Sequence, residues 1–202
     1  MAASFKEALK KRRSIYELSR RTTLDDRQLE DLLRFAVKHV PSAYNSQTSR
    51  LVLLTGKAHE KLWDMVKQTL QKIVPPEAFA RTREKIDISF AAGYGTVLFF
   101  EDTDIVKQMQ EKFPTYAENF PVWSEHTSAM HQLAVWCMLE DAVMGASLQH
   151  YNPLIDRQVS EQWHLPAQWR LTAQMPFGKA VGEPADKEFG PLENRVLVFS
   201  EP

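Results

Sequence analysis

Two arginines and a serine stand side by side where the first predicted helix ends, at Arg12, Arg13 and Ser14. Guanidinium groups and a hydroxyl at the junction of a helix and a loop are good ligands for a phosphate group. Cationic side chains at the carboxyl end of a helix also stabilise it through the helix dipole. This stretch alone favours the dipole explanation, so a phosphate site needs support from other parts of the chain.

A polar loop with small residues, PSAYNSQTSR, connects the second predicted helix to the first strand. Pro41, Ser42 and Ala43 would let the backbone approach a flat ligand. Asn45 and Gln47 offer hydrogen-bond donors and acceptors at alternate positions. As an isolated segment, this stretch is better explained as an ordinary surface loop.

Two further polar positions follow later in the sequence. The joint GASLQHYNP places Leu148, Gln149 and His150 just after a glycine, and Arg195 enters the last predicted strand. The joint can be explained as a simple connection between two helices whose histidine is hydrogen-bonded to its neighbours. Arg195 can be explained as an arginine exposed to solvent. Neither position indicates a function by itself.

Several signatures of other protein classes are absent from the sequence. There is no GxGxxG and no GxxxxGK[ST], which argues against a Rossmann dinucleotide site and against a P-loop. There is no GxSxG nucleophile motif, and the six histidines form neither an HExxH motif nor a cysteine-assisted metal spacing. We therefore expect neither a metal site nor acyl-transfer chemistry.

The composition is that of an ordinary globular protein. The 202 residues, 44% hydrophobic and 25% charged, suffice for a single domain with a real core, expected over residues 1–202. A formal net charge of -1 argues against a nucleic-acid partner, and no apolar run is long enough to cross a bilayer. A single cysteine, Cys137, permits no intrachain disulfide. Because the N-terminal stretch also lacks the apolar core of a signal peptide, we expect a cytoplasmic protein.

The elements that must position these clusters are helices alternating with a few strands. A serine–glutamate capping box opens the first helix, and RLVLLTG, GTVLFFED, WRLTAQMPFG and RVLVFS read as strands. A long helix starts at Val122 and is expected to end at a left-handed Gly145. Asn152 and Pro153 have the pattern of an N-cap and a first-turn proline of another helix. These elements predict an α+β domain with a small sheet and heavy helical cover.

Together, the order and spacing of the clusters resemble the flavin-dependent nitroreductase family. Members of that family carry an RRSxR-like motif after the first helix and a PSxxNxQ motif about thirty residues later, and this chain has RRSIY and PSAYNSQ at that separation. The resemblance continues through the long helix, the glycine-bearing turn and the late arginine, and so covers essentially the whole chain. GTVLFFED, AVWCMLEDAVMGASLQHYNP and QMPFG look like the compact subgroup that includes the fatty-acid repression mutant proteins.

The resemblance implies a fold, a cofactor and a reaction. The fold would be nitroreductase-like, with a central mixed β-sheet wrapped by helices, and two chains would form a homodimer with FMN held between the subunits. The reaction would be a ping-pong two-electron transfer, in which NAD(P)H donates a hydride and a small nitroaromatic or quinone-type acceptor is reduced. The flavin carries the chemistry, and the protein supplies position and electrostatics.

The resemblance also implies roles for particular residues. The first motif and the late arginine hold the 5′-phosphate of FMN in the family, the second motif lies against the partner subunit's flavin, and the turn after the long helix passes the reactive part of the ring. These expectations fall on Arg12, Arg13, Ser14, Arg195, Pro41, Ser42, Ala43, Asn45, Gln47, Leu148, Gln149 and His150. Hydride transfer needs no protein acid, so His150 is the one catalytic candidate, and a structural role for it is equally open.

The sequence departs from the family pattern at two places. Tyr16 stands where many members have an arginine or a lysine, so one phosphate charge is missing or is supplied elsewhere. The usual late basic pair is reduced to Arg195, with Glu193 two residues before it and Lys187 as a possible substitute.

A second class of function remains open from the sequence. The chain could be a non-catalytic flavin-binding or regulatory protein linked to a lipid or stress response. A DNA-binding function based on KKRR is weaker, because four basic residues at one helix end form too small a patch. Steady-state oxidation of NAD(P)H with a nitro or quinone acceptor would separate an enzyme from a binding protein.

Overall fold

The computed structural model describes residues 4–200, which form a small sheet surrounded by helices. The strands are β1 (Leu18–Ser19), β2 (Ser49–Thr55), β3 (Gly95–Asp102), β4 (Gly145–Ala146) and β5 (Trp169–Ala180). The helices are α1 (Phe5–Lys11), α2 (Asp26–His39), α3 (Gly56–Gln71), α4 (Pro76–Ser89), α5 (Thr103–Lys112), α6 (Asn119–Asp141) and α7 (Asp156–Trp163). The α+β architecture expected from the sequence is confirmed.

The five strands form one sheet in the order β1-β5-β3-β2, with β4 also paired to β5. All of these strand pairs are antiparallel. The sequence resemblance implied a mixed sheet, and in the described residues the parallel pairing is limited to one bridge between Ser14 and Ala146. The direction of a neighbouring strand could not be predicted, because the pattern of apolar residues along one strand does not encode it.

The central strand β3 is buried on both faces, which explains why its sequence is a continuous run of apolar and aromatic residues. Leu98 and Phe100 pack with α3, α4 and α7, and Val97 and Phe99 pack with α2 and α6. Two apolar cores therefore share one sheet. This shared sheet supports the single domain predicted over residues 1–202, which stays a prediction.

One histidine is buried in the core on the α3 side of the sheet. His59 is 2% exposed, with Nδ1 2.9 Å from the Thr96 hydroxyl and Nε2 3.3 Å from the Ala91 carbonyl oxygen. The indole N–H of Trp63 donates to the same hydroxyl over 3.0 Å. The surroundings suit a neutral imidazole, and burial lowers the pKa of His59 to about 4, although the hydrogen bond to Ala91 opposes the change.

The end of the long helix α6 differs from the expectation. Val143, with φ 59°, adopts a left-handed conformation after the last helical turn, and Gly145 begins β4 instead. Gly145 lies in tight contact with another segment, since a Cβ there would lie 3.0 Å from the Cβ of Ile15 and would force a small shift. The glycine marks the close approach of two chain segments rather than the helix terminus.

Two other expected elements are also placed differently. Helix α7 begins at Asp156, so Asn152 and Pro153 belong to the preceding turn and not to the helix. The segment RVLVFS forms no strand within residues 4–200, and the side chains of Val196 to Phe199 are largely exposed. A strand needs a partner, and this segment finds none among the described strands of its own chain.

The helices of the described chain do not meet the requirements of a membrane span. None of those in residues 4–200 combines the length and the apolar character that crossing a bilayer demands.

Candidate functional site

The first motif runs along the edge of the sheet beside β4. Ser14 forms a bridge with Ala146, and the Ile15 N–H donates to the Ala146 carbonyl oxygen over 3.0 Å. The glycine at 145 favours this close approach, because a Cβ there would come within 3.0 Å of the Ile15 side chain. The fold thus brings Arg12, Arg13 and Ser14 next to the segment that leads into the turn after α6.

Arg12 has an incompletely satisfied guanidinium. Its Cζ lies over the ring of Trp136, 4.4 Å from the centroid. Its Nε is buried, and no hydrogen-bond acceptor for it exists among the described residues. A buried N–H without an acceptor is uncommon and requires an explanation, such as an anionic ligand.

Two titratable groups of α6, Cys137 and Glu140, lie close enough to Arg12 to interact with its charge. Burial raises the pKa of the Glu140 carboxyl, and Lys11 and Arg12 only partly oppose this effect. Burial likewise raises the pKa of the Cys137 thiol. Glu140 forms no ion pair with Arg12 within the described residues, so that carboxylate does not satisfy the Arg12 Nε–H.

Arg13 reaches the chain beyond β5. Its guanidinium donates to the carbonyl oxygen of Ala185 over 2.5 Å, so the segment that follows β5 passes over the first motif. Arg195 lies farther along this segment, is exposed, and makes no side-chain hydrogen bond or ion pair with other residues in the range 4–200. The Arg12 and Arg13 guanidinium groups thus have different partners, and no hydrogen bond or ion pair within residues 4–200 brings Arg195 to the first motif.

Tyr16 departs from the family pattern, and Lys187 is the possible substitute for the missing late basic residue. In the structure, both side chains make contacts outside the first motif. The Tyr16 ring lies 6.3 Å from that of Phe90, with the Lys85 ammonium 6.0 Å from its centroid. The Lys187 ammonium lies 5.2 Å from the ring of Phe189. Neither contact involves the first motif.

The turn after α6 has a fixed backbone. Gln149 and Gln174 exchange two backbone hydrogen bonds, of 2.7 and 2.9 Å. The side chain of Gln174 accepts from the Tyr151 N–H over 2.7 Å and donates to Asn152 Oδ1 over 3.2 Å. The imidazole of His150 is exposed and makes no hydrogen bond to another described residue. Sequence reasoning singled out this turn but missed Gln174, whose position on a distant strand gave no local signal.

The second motif forms a tightly folded loop. Tyr44, Asn45 and Gln47 have left-handed backbones, with φ of 54°, 51° and 51°. The Ser42 hydroxyl oxygen accepts from the Gln47 N–H over 2.9 Å, and Ala43 lies in a short 3₁₀ turn. Left-handed residues other than glycine are uncommon and concentrate at functional sites.

This loop lies at one end of a cavity rather than beside the first motif. The cavity has a volume of about 580 Å³ and lies between α2 and the free edge of β2. Its walls include Leu33, Val37, Ser42, Gln47, Leu51 and Leu53. Among the described residues, no hydrogen bond joins the second motif to the first, so a single chain keeps the two motifs apart.

An aromatic cluster surrounds Tyr44, which is half exposed. The Tyr44 ring stacks on Trp123 with centroids 6.0 Å apart and an interplanar angle of 21°, and lies 4.7 Å from Phe113. Phe120 and Tyr116 complete the cluster at 5.6 and 6.0 Å. Tyr44 and Tyr116 are the exposed rings of this cluster, and they offer a stacking surface for another planar molecule.

A buried polar cluster adjoins the cavity through Ser49 and His131, which line it. Glu101, fully buried, accepts hydrogen bonds from the hydroxyls of Ser49 and Ser124. Burial lowers the pKa of His131, whose Nδ1 lies 2.9 Å from the Thr127 carbonyl oxygen. In residues 4–200, no group of three or more His, Cys, Asp or Glu side chains is arranged to hold a metal ion.

Solved structures with this fold define the class of protein. Nitroreductase CinD from Lactococcus lactis in complex with chloramphenicol matches with a TM-score of 0.88 and 42% sequence identity, over 98% of this chain and 100% of that chain. Its complex with 4-nitrophenol matches with a TM-score of 0.85 and 44% identity, over the same shares of the two chains. The nitroreductase-like fold inferred from the motifs is confirmed.

The sequence comparisons agree. The model of the nitroreductase family matches residues 9–179. The nitroreductase FRM2 of Saccharomyces cerevisiae is 32% identical over 200 residues, covering 97% of each protein. This chain belongs to the nitroreductase family, a class of oxidoreductases.

Proposed function

We propose that this protein is an FMN-dependent oxidoreductase that uses NAD(P)H to reduce nitroaromatic or quinone-type acceptors. The observation that carries the proposal is the cationic site of Arg12, Arg13 and Ser14, where the buried Arg12 Nε–H has no acceptor within residues 4–200. A phosphate group fits this site, because the Arg12 Nε–H lacks an acceptor and two guanidinium groups and a hydroxyl are adjacent in the chain there. When bound, FMN supplies two-electron chemistry by hydride transfer.

Two groups of residues from one chain would hold the flavin. Arg12, Arg13 and Ser14 bind the phosphate, with Arg195 as a further ligand if the segment beyond β5 folds back. The fixed turn of Leu148, Gln149 and His150 positions the ring. His150 is also a candidate for delivering a proton to the acceptor, since its exposed imidazole is free to approach a ligand.

The second motif would complete the site from a partner subunit. Within one chain this loop is separate from the first motif, and its residues Pro41, Ser42, Ala43, Asn45 and Gln47 are half-buried or exposed. A homodimer supplies the loop in trans. Helix α6 supports this assembly, because apolar side chains such as Val122, Met130 and Leu133 remain exposed along it.

The aromatic cluster supports a planar acceptor. Relatives at 42% and 44% identity have been solved with chloramphenicol and 4-nitrophenol, both nitroaromatic compounds. We propose the same class of acceptor for this chain, in a cytoplasmic setting in which the buried Cys137 stays a free thiol.

A visible spectrum and a steady-state assay test the proposed function together. The purified protein should show flavin absorbance that bleaches on addition of NAD(P)H and returns with 4-nitrophenol or a quinone. Initial rates at varied donor and acceptor concentrations should give parallel double-reciprocal lines, as expected of a ping-pong mechanism. Bound flavin without turnover would favour the alternative, a non-catalytic flavin-binding or regulatory protein linked to a lipid or stress response, and absence of flavin binding would contradict both.

Replacement of Arg12 by alanine should weaken FMN binding by about thirtyfold while leaving riboflavin binding within twofold. The reason is that a hydrogen bond between charged groups contributes about 2 kcal/mol, and riboflavin lacks the phosphate. Dissociation constants from flavin fluorescence quenching provide the measurement. Lys10→Ala, an exposed cation on the same helix, is the matched control and should bind both flavins as the wild type does. Equal losses for FMN and riboflavin in Arg12→Ala would refute the phosphate assignment.

Replacement of Tyr44 by alanine should raise the KM for a nitroaromatic acceptor about tenfold, because it removes a stacking partner worth about 1 kcal/mol or slightly more. The KM for NAD(P)H and the FMN content should change by less than threefold. Tyr44→Phe keeps the ring and should retain the wild-type KM. If Tyr44→Phe loses as much as Tyr44→Ala, the ring is not the element that recognises the acceptor.

A further inference from the structure

The Arg12 guanidinium faces an indole ring rather than a carboxylate. Arg12 Cζ lies 4.4 Å from the Trp136 ring centroid, and Trp136 lies in the second half of α6. Within residues 4–200, Arg12 forms no ion pair with Glu140, which lies one helical turn beyond Trp136. The cation at the end of α1 is thus held by an aromatic face.

This arrangement leaves the hydrogen-bonding edge of the guanidinium free. A carboxylate partner would occupy the N–H donors of an arginine and neutralise its charge. An aromatic face attracts the cation through the ring quadrupole and takes up none of the in-plane donors. The unsatisfied Arg12 Nε–H agrees with this description, because the side chain is oriented but not saturated.

The carboxyl nearest to Trp136 in sequence does not pair with Arg12. Glu140 makes no ion pair with the Arg12 guanidinium within residues 4–200, and burial raises its pKa. Arg12 therefore combines two properties of a prepared anion ligand: a fixed orientation and an N–H donor without a protein acceptor. Trp136 supplies the orientation and leaves the donor free.

We propose that Trp136 is a positioning residue that holds the Arg12 guanidinium ready for the phosphate of FMN. Trp136 acts through Arg12 and need not touch the cofactor itself. This inference rests on the proposed function, and it assigns to an aromatic residue of α6 a share of the selectivity for FMN over riboflavin.

Flavin affinities of the full-length protein test the role. Dissociation constants for FMN and riboflavin are measured by fluorescence quenching on wild type, Trp136→Leu and Trp136→Phe, after removal of bound flavin. Trp136→Leu should weaken FMN binding about tenfold and riboflavin binding less than twofold, because only the phosphate interaction is affected. Trp136→Phe retains a weaker aromatic face, so its affinity for FMN should fall about threefold. Circular dichroism and sedimentation check that the variants keep their fold and assembly.

A double-mutant cycle separates positioning from packing. In the Arg12→Ala background, Trp136→Leu should have almost no further effect on FMN affinity, because the group that it positions is gone. Three results would overturn the role of Trp136. Trp136→Leu could weaken the binding of both flavins equally, or it could weaken FMN binding as much in the Arg12→Ala background as in the wild type. The loss of FMN affinity could also accompany a change in sedimentation. A wild type without preference for FMN would instead overturn the phosphate site itself, and with it this inference. If Trp136→Leu fails to fold, Trp136→Phe and its cycle with Arg12→Ala decide the question.

Discussion

Removal of the chain after Gly190 is expected to dissociate the proposed homodimer and to raise its dissociation constant by at least about a thousandfold. The removed segment carries Val196, Leu197, Val198 and Phe199, which are 66–91% exposed in the single chain. Burial of even a few such side chains contributes about 1.5–3 kcal/mol each, and about 4 kcal/mol corresponds to a thousandfold. The sequence of this segment predicts a strand, but it pairs with no described strand of its own chain. Strand β2 has a free edge beside the cavity of about 580 Å³, and this edge could pair with the segment of a second subunit.

Sedimentation velocity over a range of protein concentrations measures this effect, with FMN content recorded on the same samples. The deletion also removes Arg195, so Arg195→Ala in the full-length chain is the matched control and should remain dimeric. A truncated protein that sediments as the wild type and keeps its FMN would show that residues 191–202 do not hold the subunits together. A full-length protein that is monomeric and still binds FMN tightly would contradict the homodimer itself.

Acidification is expected to lower the free energy of unfolding by about 3 kcal/mol through His59 alone. Burial lowers the pKa of His59 to about 4 in the folded protein, against about 6.5 in an unfolded chain. Between these values the unfolded chain binds more protons, so stability is lost as the pH falls from about 6.5 and the loss levels off near 4. Urea unfolding of the flavin-free protein at several pH values measures this dependence.

His59→Asn should be less stable at neutral pH, because it disturbs the contacts with Thr96 and Ala91, but its stability should vary less between pH 6.5 and 4.5. His126→Asn, an exposed histidine on α6, is the control and should keep the wild-type pH dependence. Burial also lowers the pKa of His131, so some acid sensitivity should remain in His59→Asn. An unchanged slope in His59→Asn would show that another group dominates.

The parts of the fold that the sequence predicted are those with strong local signals. RLVLLTG and GTVLFFED form β2 and β3 because apolar and β-branched residues are bounded there by glycine and polar residues. The first helix begins after the expected cap, with Ser4 Oγ accepting from the Glu7 N–H over 3.3 Å. The family could be inferred because its two motifs are local and retain their order and separation.

Other features could not be predicted because their causes are not local. Val143, Tyr44 and Gln47 adopt left-handed backbones without the glycine that usually signals them, so tertiary contacts override the intrinsic preference. Arg12 and Trp136 are far apart in sequence, and nothing in either segment indicates that they meet. The role of Gln174 depends on strand register, which fixes it opposite Gln149.

The compact loop from Ser42 to Gln47 affects how much conformational entropy two subunits would lose when they associate. Its left-handed residues and the hydrogen bond from the Gln47 N–H to the Ser42 hydroxyl already restrict the backbone in the single chain. A surface that is ordered before it meets its partner loses little conformational entropy on docking. Two such chains would therefore associate largely as rigid bodies at this loop, and the ordering penalty would fall on the exposed segment around Val196 to Phe199.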